Sequence, residues 1–281
     1  MQLHEKITQL EKKLEELNSP PLDIPHSSVE FATAQCDKHG EFEQRSRIST
    51  GPIKIPMKPS ECPECMRQEL ALLNRELEQQ NREARKRNIE RLMLDLQIPE
   101  RFAECTLDNY EPGNEDSKRA LRVCQAYANK WPERLKRGGG LVMCGKPGTG
   151  KNHLALAIAK RVIEEHQSTV TFTTALKIAR DFKSTWSKTA TRTEDEVIRQ
   201  FTRPDLLIID EVGVQFGSEA EKLIMFEIIN TRYESMKPTI LISNQTKEEL
   251  AAFIGERVID RMNDGGGCTL SFTWESYRER K

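Results

Sequence analysis

Apolar residues recur at alternating spacings of four and three near the start of the chain, at Leu3, Ile7, Leu10, Leu14 and Leu17. This spacing places a heptad seam on one face of a helix, with Glu and Lys between the apolar positions. The seam suits either an amphipathic helix packed on its own protein or a helix that self-associates or docks a partner. The segment NSPP (18–21) ends the helix, because proline lacks the amide hydrogen and restricts the residue before it.

Two polar segments follow the seam. Residues 18–60 are rich in Pro, Ser, Thr and Gly and show no helical period. Residues 66–96 carry many i,i+4 charge pairs, a pattern that predicts one exposed helix linking two modules.

From Ile98 onward, short apolar runs alternate with amphipathic stretches. The apolar runs predict buried strands at 141–144, 169–173, 206–210 and 239–243. The amphipathic stretches predict helices at 151–165, 174–186, 218–234 and 246–254. Capping boxes at Ser218–Glu221 and Thr246–Glu249 begin two of these helices. Strands separated by helices predict an α/β fold, in which helices flank a parallel sheet with right-handed crossovers.

Composition narrows the class of protein. Charged residues make up 31% and hydrophobic residues 37% of the 281, and the formal net charge is −1, so no global field attracts nucleic acid or membrane. No apolar run approaches the ~20 residues of a transmembrane helix, and the N-terminal segment lacks the apolar core of a secretory signal. We therefore expect a cytoplasmic protein with no membrane partner. Its seven cysteines are then thiols or metal ligands rather than disulfides.

The segment GKPGTGKN (145–152) follows the first predicted strand and begins a predicted helix. It matches the phosphate-binding loop G-x-x-x-x-G-K-[ST] except at Asn152, where a Ser or Thr hydroxyl would normally hold Mg²⁺. The glycines let backbone N–H groups face a β-phosphate, and the helix start adds partial positive charge. We predict that the nucleotide is bound by Gly145, Lys146, Pro147, Gly148, Thr149, Gly150, Lys151, Asn152 and His153.

Particular residues of this loop have predicted roles. Lys151 would neutralise the β- and γ-phosphate oxygens, and His153 is expected to pack at the helix start. The amide oxygen of Asn152 can still accept from a Mg²⁺-bound water or bind Mg²⁺ weakly. This replacement predicts ATP binding with slow hydrolysis that needs DNA or neighbouring subunits.

An acidic pair ends the buried run LLIID-E, 59 residues after the loop lysine. Asp210 would hold Mg²⁺, directly or through water, and Glu211 would polarise the attacking water. Asn244 ends the last predicted strand and suits either a sensor of the γ-phosphate or a helix N-cap region. Arg257 and Arg261 lie four apart on one helix face, as surface charge or as an arginine finger that reaches a neighbouring subunit's ATP.

Two pairs with two-residue gaps lie in and just after the first polar segment: Cys36-x-x-His39 within it and Cys62-x-x-Cys65 shortly after it. Zn²⁺ takes four tetrahedral nitrogen or sulfur ligands, and this segment has too few apolar residues to build a core. A metal would supply the missing stability and fold the module. We predict a structural zinc site with these four ligands, His39 being the one whose role the spacing supports least. The alternative is that these four residues lie in a disordered linker and do not bind a common metal.

Seven strings occur in order between residues 98 and 281: IPERF, LDNY, GKPGTGKNHLA, LLIIDEVGVQ, SEAEK, GERVIDRM and WESYR. Together they resemble the DnaC-type replicative helicase loaders, which are AAA+ ATPases of bacteria and their phages. The strings GKNH and GERVxDRM make the resemblance specific, because they are not generic to ATPases. The zinc module resembles phage and prophage versions of this family.

The resemblance implies an AAA+ fold with Lys151, Asp210 and Asn244 in the roles above. It further implies Arg261 as the finger with Arg257 as its support, self-association through the AAA+ domain, and an adenine pocket that uses Phe102 and TLDNY (106–110). Partners implied are single-stranded DNA and a hexameric replicative DNA helicase, which the protein would deliver onto DNA. An N-terminal region grips the helicase in that family.

The predicted organisation has four parts: an N-terminal helix (1–18), a zinc module (19–66), a linker helix (67–97) and an AAA+ ATPase domain (98–281). Two other functions remain open. One is a transposition ATPase helper resembling the IstB type, which shares the same core. The other is a zinc-dependent DNA-binding adaptor with a vestigial ATP site.

DNA contact has two predicted locations. The basic cluster in 82–91 would meet phosphates or form a solvated helix face, since Glu83 and Glu90 lie within it. The stretch 177–192 interleaves five cations with Phe182 and Trp186. These two aromatics suit base stacking or ordinary core packing.

Overall fold

A computed structural model describes residues 2–51, 58–213 and 219–280. The chain separates into two compact units, Met1–Lys86 and Arg87–Lys281. Helix α2 (Pro63–Leu96) contributes residues to both units. No helix within the described ranges is long and apolar enough to cross a bilayer.

The first unit contains helix α1 (Gln2–Asn18), strands β1 (Ser27–Cys36) and β2 (Gly40–Ser49), and the first part of α2. Leu10 and Leu14 of the α1 seam are buried in a small cluster with Met66, and Leu17, Leu70 and Leu73 pack against it. The seam therefore packs on its own chain, which confirms the first of its two interpretations.

Strands β1 and β2 form an antiparallel hairpin, which the sequence pattern did not predict. The register runs from Ser27 opposite Ser49 to Cys36 opposite Gly40. Gly40 has a φ of 74°, a conformation that glycine adopts without the cost of a Cβ clash. No residue of either strand is buried, so the alternation of apolar and polar residues that usually reveals a strand is weak here.

After the end of α2, the second unit continues with helices α3 (Glu115–Asn129) and α4 (Trp131–Arg137), which the sequence pattern did not predict. The remaining elements, in chain order, are β3 (Leu141–Gly145), α5 (Lys151–His166), β4 (Val170–Thr174), α6 (Ala175–Lys183), α7 (Glu194–Thr202), β5 (Leu206–Asp210), α8 (Glu219–Glu234), β6 (Thr239–Ile242), α9 (Lys247–Ile254), α10 (Glu256–Asn263) and β7 (Cys268–Phe272).

These strands form one five-stranded sheet in the order β4-β5-β6-β3-β7, and every pair is parallel. The four predicted strands are confirmed to within one residue, and β7 adds an edge strand that was not predicted. The α/β architecture with helices flanking a parallel sheet is therefore confirmed.

Side chains alternate between two cores because successive residues of a strand point to opposite faces. Leu141 and Met143 of β3 enter the core that contains α3 and α5. Val142 and Cys144 enter the core that contains α6 to α10. Cys144 is therefore a packing residue. The four predicted helices are confirmed, with small changes at their ends. The helix expected at 174–186, for example, ends at Lys183 and is followed by a short 3-10 turn.

Helix starts agree with the capping prediction where they are described. Thr246 accepts from the N–H of Glu249, whose side chain accepts from the N–H of Thr246. The other predicted capping box involves Ser218, which lies outside the described residues. Part of the string LLIIDEVGVQ, at residues 214 and 215, also lies outside them.

Arg232 of α8 is completely buried, which no pattern in the sequence indicated. Its guanidinium donates six hydrogen bonds, five of them to backbone carbonyls and one to a hydroxyl, on Phe201, Thr202, Pro204, Asp205, Pro238 and Thr239. Burial lowers the pKa of Arg232 to about 9, so the side chain stays protonated at neutral pH. It ties α7, α8 and the starts of β5 and β6 together.

Candidate functional site

The loop between β3 and α5 is shaped by three glycines with positive φ: Gly145 at 121°, Gly148 at 73° and Gly150 at 93°. A Cβ on Gly145 would lie 2.3 Å from the carbonyl oxygen of Phe272, so only glycine fits between the loop and β7. The loop leads directly into the N-terminus of α5 at Lys151. A strand, a curled glycine loop and a helix N-terminus together make an anion-binding cradle.

Lys151 is buried at the first position of α5. Its Nζ donates to the carbonyl oxygens of Gly145 at 2.8 Å and Lys146 at 2.7 Å. Burial lowers the pKa of Lys151 to about 8, although the nearby Asp210 carboxylate opposes that shift. The ammonium of Lys151 is buried and donates to two carbonyl oxygens, which are neutral. A phosphate bound beside it would therefore stabilise its positive charge.

Asn152 and Asp210 are in direct contact. The Nδ2 atom of Asn152 donates to Oδ2 of Asp210 at 2.5 Å, and the backbone N–H of Glu211 donates to Oδ1 at 2.7 Å. Burial raises the pKa of Asp210, and these two donors oppose the shift. Because a carboxylate only accepts, the amide nitrogen of Asn152 must face it, which turns the amide oxygen away. The carboxylate and amide oxygens are the ligand types that Mg²⁺ prefers.

A cleft of about 710 Å³ is lined by most of the residues predicted to bind the nucleotide. Its lining includes the loop from Pro147 to His153, together with Asp210, Glu211 and Asn244. Glu211 and Asn244 are exposed, and Glu211 has a φ of 58°, which turns the backbone sharply after β5. Gly145 and Lys146, at the base of the loop, do not line the cleft, and neither do Arg257 and Arg261. The two arginines therefore lie away from the nucleotide site of their own chain.

Of the residues expected to form the adenine pocket, Phe102, Asn109 and Tyr110 line one wall of this cleft, and Cys105 beside them lines it too. His153 of α5 contacts this wall through a hydrogen bond: its Nε2 lies 2.8 Å from the carbonyl oxygen of Thr106. Since a carbonyl only accepts, Nε2 carries the proton, and Nδ1 accepts from the thiol of Cys105 at 3.3 Å. Burial lowers the pKa of His153, which keeps the ring neutral in this arrangement.

The C-terminal segment after β7 also lines the cleft, although the sequence pattern alone assigned it no role in the site. Trp274 Nε1 donates to the carbonyl oxygen of Thr149 at 3.1 Å, and the N–H of Tyr277 donates to the carbonyl oxygen of Gly148 at 2.9 Å. Glu275 pairs with Lys146 at 2.9 Å, and Arg278 lines the cleft. The string WESYR carried a signal for these contacts, but only as part of the family resemblance.

Arg257 and Arg261 share α10, four residues apart. Arg257 is exposed. Arg261 is partly buried and lies against the rings of Phe226 and Tyr233 on α8.

In the first unit, Cys36, His39, Cys62 and Cys65 converge, with their ligand atoms within 4.8 Å of one another. Nδ1 of His39 is 3.6 Å from the sulfurs of Cys36 and Cys62 and 3.4 Å from that of Cys65, and the sulfurs of Cys36 and Cys65 are 3.5 Å apart. A tetrahedral Zn²⁺ with ordinary bond lengths requires ~3.5 Å between nitrogen and sulfur and ~3.8 Å between sulfurs. The cluster therefore fits zinc.

One further feature supports this fit. Backbone N–H groups of Lys38 and His39 lower the pKa of Cys36 to about 6, which favours the thiolate that binds metal. The side-chain nitrogen of Gln68 lies 2.8 Å from Nε2 of His39. Since an amide nitrogen only donates, Nε2 of His39 accepts in this arrangement, and a lone pair on Nδ1 for zinc requires the Gln68 amide to turn its oxygen toward the ring.

The stretch 177–192 divides between packing and surface. Phe182 is buried in the core, whereas Trp186 is 57% exposed, touches the edge of Phe182 and donates to Glu194. Lys183 pairs with Glu221 at 2.8 Å. In the other cluster, Arg82 pairs with Glu78 at 3.8 Å. DNA contact by either stretch stays a prediction.

The fold and the cleft define a P-loop nucleotide-binding protein of the AAA+ class. The chain belongs to the family described as IstB-like ATP binding protein, whose sequence model matches residues 66–281. It is 34% identical over 198 residues to the replicative helicase loader DnaC of Buchnera aphidicola subsp. Acyrthosiphon pisum, which covers 70% of this chain and 79% of that protein. It is 36% identical over 176 residues to DnaC of Escherichia coli strain K12, covering 63% and 70%.

A crystal structure of the DnaC helicase loader has the same fold, with a TM-score of 0.55 at 24% identity. The match covers 62% of this chain and 99% of that one. The resemblance to DnaC-type loaders that the sequence strings indicated is thereby confirmed.

Proposed function

We propose that this protein is an ATP-dependent loader that binds a hexameric replicative helicase and delivers it onto single-stranded DNA. The observation that carries the proposal is the 34–36% identity to proteins named replicative helicase loader DnaC, which extends over 70–79% of their length. The assembled nucleotide cleft supports it, because a loader that uses ATP needs Lys151 and Asp210 in one site. These relatives favour a loader over a transposition helper.

The chemistry of the site follows from the residues in the cleft. Backbone N–H groups of the loop and the Nζ of Lys151 would bind the β- and γ-phosphates of ATP. Asp210 would hold Mg²⁺ while sharing its carboxylate with the amide nitrogen of Asn152, and the ion would neutralise phosphate charge. Glu211 would polarise the attacking water and Asn244 would orient it. Arg261, supported by Arg257, would act on the ATP of a neighbouring copy.

The N-terminal segments have their own proposed roles. Four protein ligands complete a tetrahedral zinc site, which makes it structural rather than catalytic. We assign the helix (1–18) and zinc module (19–66) to contact with the helicase, the linker (67–97) to connection, and residues 98–281 to the ATPase.

A loading assay tests the function directly. Purified protein, the host's replicative helicase and closed circular single-stranded DNA are mixed with ATP, and helicase bound to the circle is counted after gel filtration. Loading should require the protein and fall to background with Lys151→Ala. Equal helicase on the circles with and without the protein would contradict the proposal.

A pull-down from cells separates this function from the alternatives. Helicase subunits should be recovered with the protein, whereas recovery of a transposase without helicase would indicate the transposition helper. ATP turnover measured with and without single-stranded DNA covers the third possibility. No turnover under any condition, with the zinc module still binding DNA, would indicate the adaptor.

A further inference from the structure

The guanidinium of Arg261 on α10 lies against two aromatic rings of α8. Its Cζ atom is 5.5 Å from the ring centroid of Phe226 and 5.5 Å from that of Tyr233. Residues seven apart lie on one face of a helix, about 10.5 Å apart along its axis. The guanidinium therefore sits midway between the two rings, at a distance typical of cation–π contact. We call these two rings and the arginine the aromatic clamp.

The clamp holds the arginine without using its hydrogen-bond donors. Within the described part of the chain, Nη1 of Arg261 is buried and has no hydrogen-bond partner, and no carboxylate forms an ion pair with the guanidinium. Arg232 shows the opposite arrangement, since its guanidinium donates six hydrogen bonds to its own chain. An arginine that served only the fold would be expected to use its donors as Arg232 does.

The rings themselves are fixed and reach the surface. The hydroxyl of Tyr233 donates to Oδ2 of Asp264 at 2.9 Å, which sets the orientation of its ring. Phe226 is 39% exposed and Tyr233 is 37% exposed. The aromatic clamp therefore lies at the surface, and Arg261 itself is partly exposed.

We propose that Phe226 and Tyr233 are positioning residues that hold Arg261 in the orientation in which it meets the γ-phosphate of ATP bound by a second copy of this chain. This inference rests on the proposed function, in which Arg261 acts on a neighbour's ATP. The phosphate must come from a second copy because Arg261 does not line the cleft of its own chain. Ring faces suit this task, since they fix the plane of the guanidinium without occupying its N–H groups, so that those other than the buried Nη1 can face the anion.

The test replaces the rings and keeps their apolar bulk. The double variant Phe226→Leu/Tyr233→Leu should lose about tenfold in the kcat of DNA-stimulated ATP hydrolysis, in the same direction as Arg261→Ala. Binding of a non-hydrolysable ATP analogue should not change, because neither ring lines the cleft. Tyr233→Phe keeps the ring and should restore the turnover that Tyr233→Leu loses. Phe253→Leu is the matched control: its ring contacts Lys222, 5.7 Å away, and turnover should stay at the wild-type value.

Mixed assemblies separate positioning from a folding defect. The double variant keeps an intact nucleotide site, and Lys151→Ala keeps an intact clamp. Mixing the two should restore turnover, because a clamp from one copy then faces the ATP of the other. Wild-type turnover in the double variant, or a loss that mixing does not restore, would overturn the inference. If the wild-type protein hydrolyses no ATP even with DNA and helicase, the proposed function itself fails, which is a different outcome.

Discussion

Asn152 lies where phosphate-binding loops usually carry a hydroxyl, and its side-chain amide donates a hydrogen bond to Asp210. A Ser or Thr hydroxyl both donates and accepts through one oxygen, whereas an amide divides the two tasks between its nitrogen and oxygen. The nitrogen of Asn152 already bonds to the Asp210 carboxylate at 2.5 Å. Any Mg²⁺ bound by Asp210 must share the carboxylate with the amide nitrogen of Asn152. Such sharing would weaken the hold on the ion, in agreement with the slow ATP hydrolysis that we predict.

Asn152→Thr should therefore keep or raise basal ATP turnover. The shorter hydroxyl can bind Mg²⁺ directly and leaves Asp210 freer to do the same. The measurement is steady-state hydrolysis without DNA, with Lys151→Ala as the inactive control. Loss of ATP binding in Asn152→Thr would show that the amide has a role beyond this contact.

Lys151 should take up a proton when ATP binds near pH 8. Its pKa is about 8 in the free protein because of burial, and phosphates would raise it. At pH 8 about half of the free protein carries a neutral Lys151, so binding should take up about half a proton; well below pH 8 the lysine is already charged and uptake vanishes. ATP affinity should accordingly fall as the pH rises above 8.

Calorimetry in two buffers of different ionisation enthalpy measures this proton. Lys151→Arg is the matched control, because a guanidinium stays protonated throughout this range. Equal proton uptake by the arginine variant would assign the proton to another group.

At the scale of elements, the sequence predicted the strands and helices whose apolar pattern is strong and missed those, such as β7, whose pattern is weak. The runs that became β3, β5 and β6 are continuous apolar stretches because helices cover both faces of the sheet. Strand β7 reads CTLSF, lies at the sheet edge and is only partly buried, so its pattern is weak. The contacts of Arg232 and the aromatic clamp were invisible because their partners are distant in sequence.

The C-terminal segment is an element whose importance only the structure shows. Trp274→Phe removes the hydrogen bond to Thr149 and keeps the ring beside Phe272, 4.7 Å away. One such bond contributes about 1 kcal/mol, so affinity for an ATP analogue should fall about fivefold as the loop loses its support. Fluorescence titration measures this change, with Trp131→Phe as a control on a tryptophan outside the cleft. Unchanged affinity in Trp274→Phe would limit the segment to packing.

At the scale of the whole molecule, the two units achieve stability by different means. The second unit buries two apolar cores on the faces of its sheet. The first has one small cluster around Leu10, Leu14 and Met66, and its hairpin buries no strand residue. A metal held by Cys36, His39, Cys62 and Cys65 would compensate for so little apolar burial, since structural zinc contributes about 10 kcal/mol or more to such modules. The ligand spacing in the sequence identified this site although the hairpin that carries it was not predicted.

The double variant Cys62→Ser/Cys65→Ser should therefore unfold the hairpin and leave the sheet of the second unit intact. Zinc measured by mass spectrometry should fall from one ion per chain to background, whereas Cys105→Ser, outside the cluster, should retain it. Hydrogen exchange should show fast exchange at residues 27–49 and unchanged protection in β3, β5 and β6, because the sheet has its own cores. Stoichiometric zinc that survives the double change would contradict the assignment of these ligands. Protection that survives at 27–49 after the zinc is lost would instead show that the hairpin is held by its backbone ladder and the α1–α2 cluster.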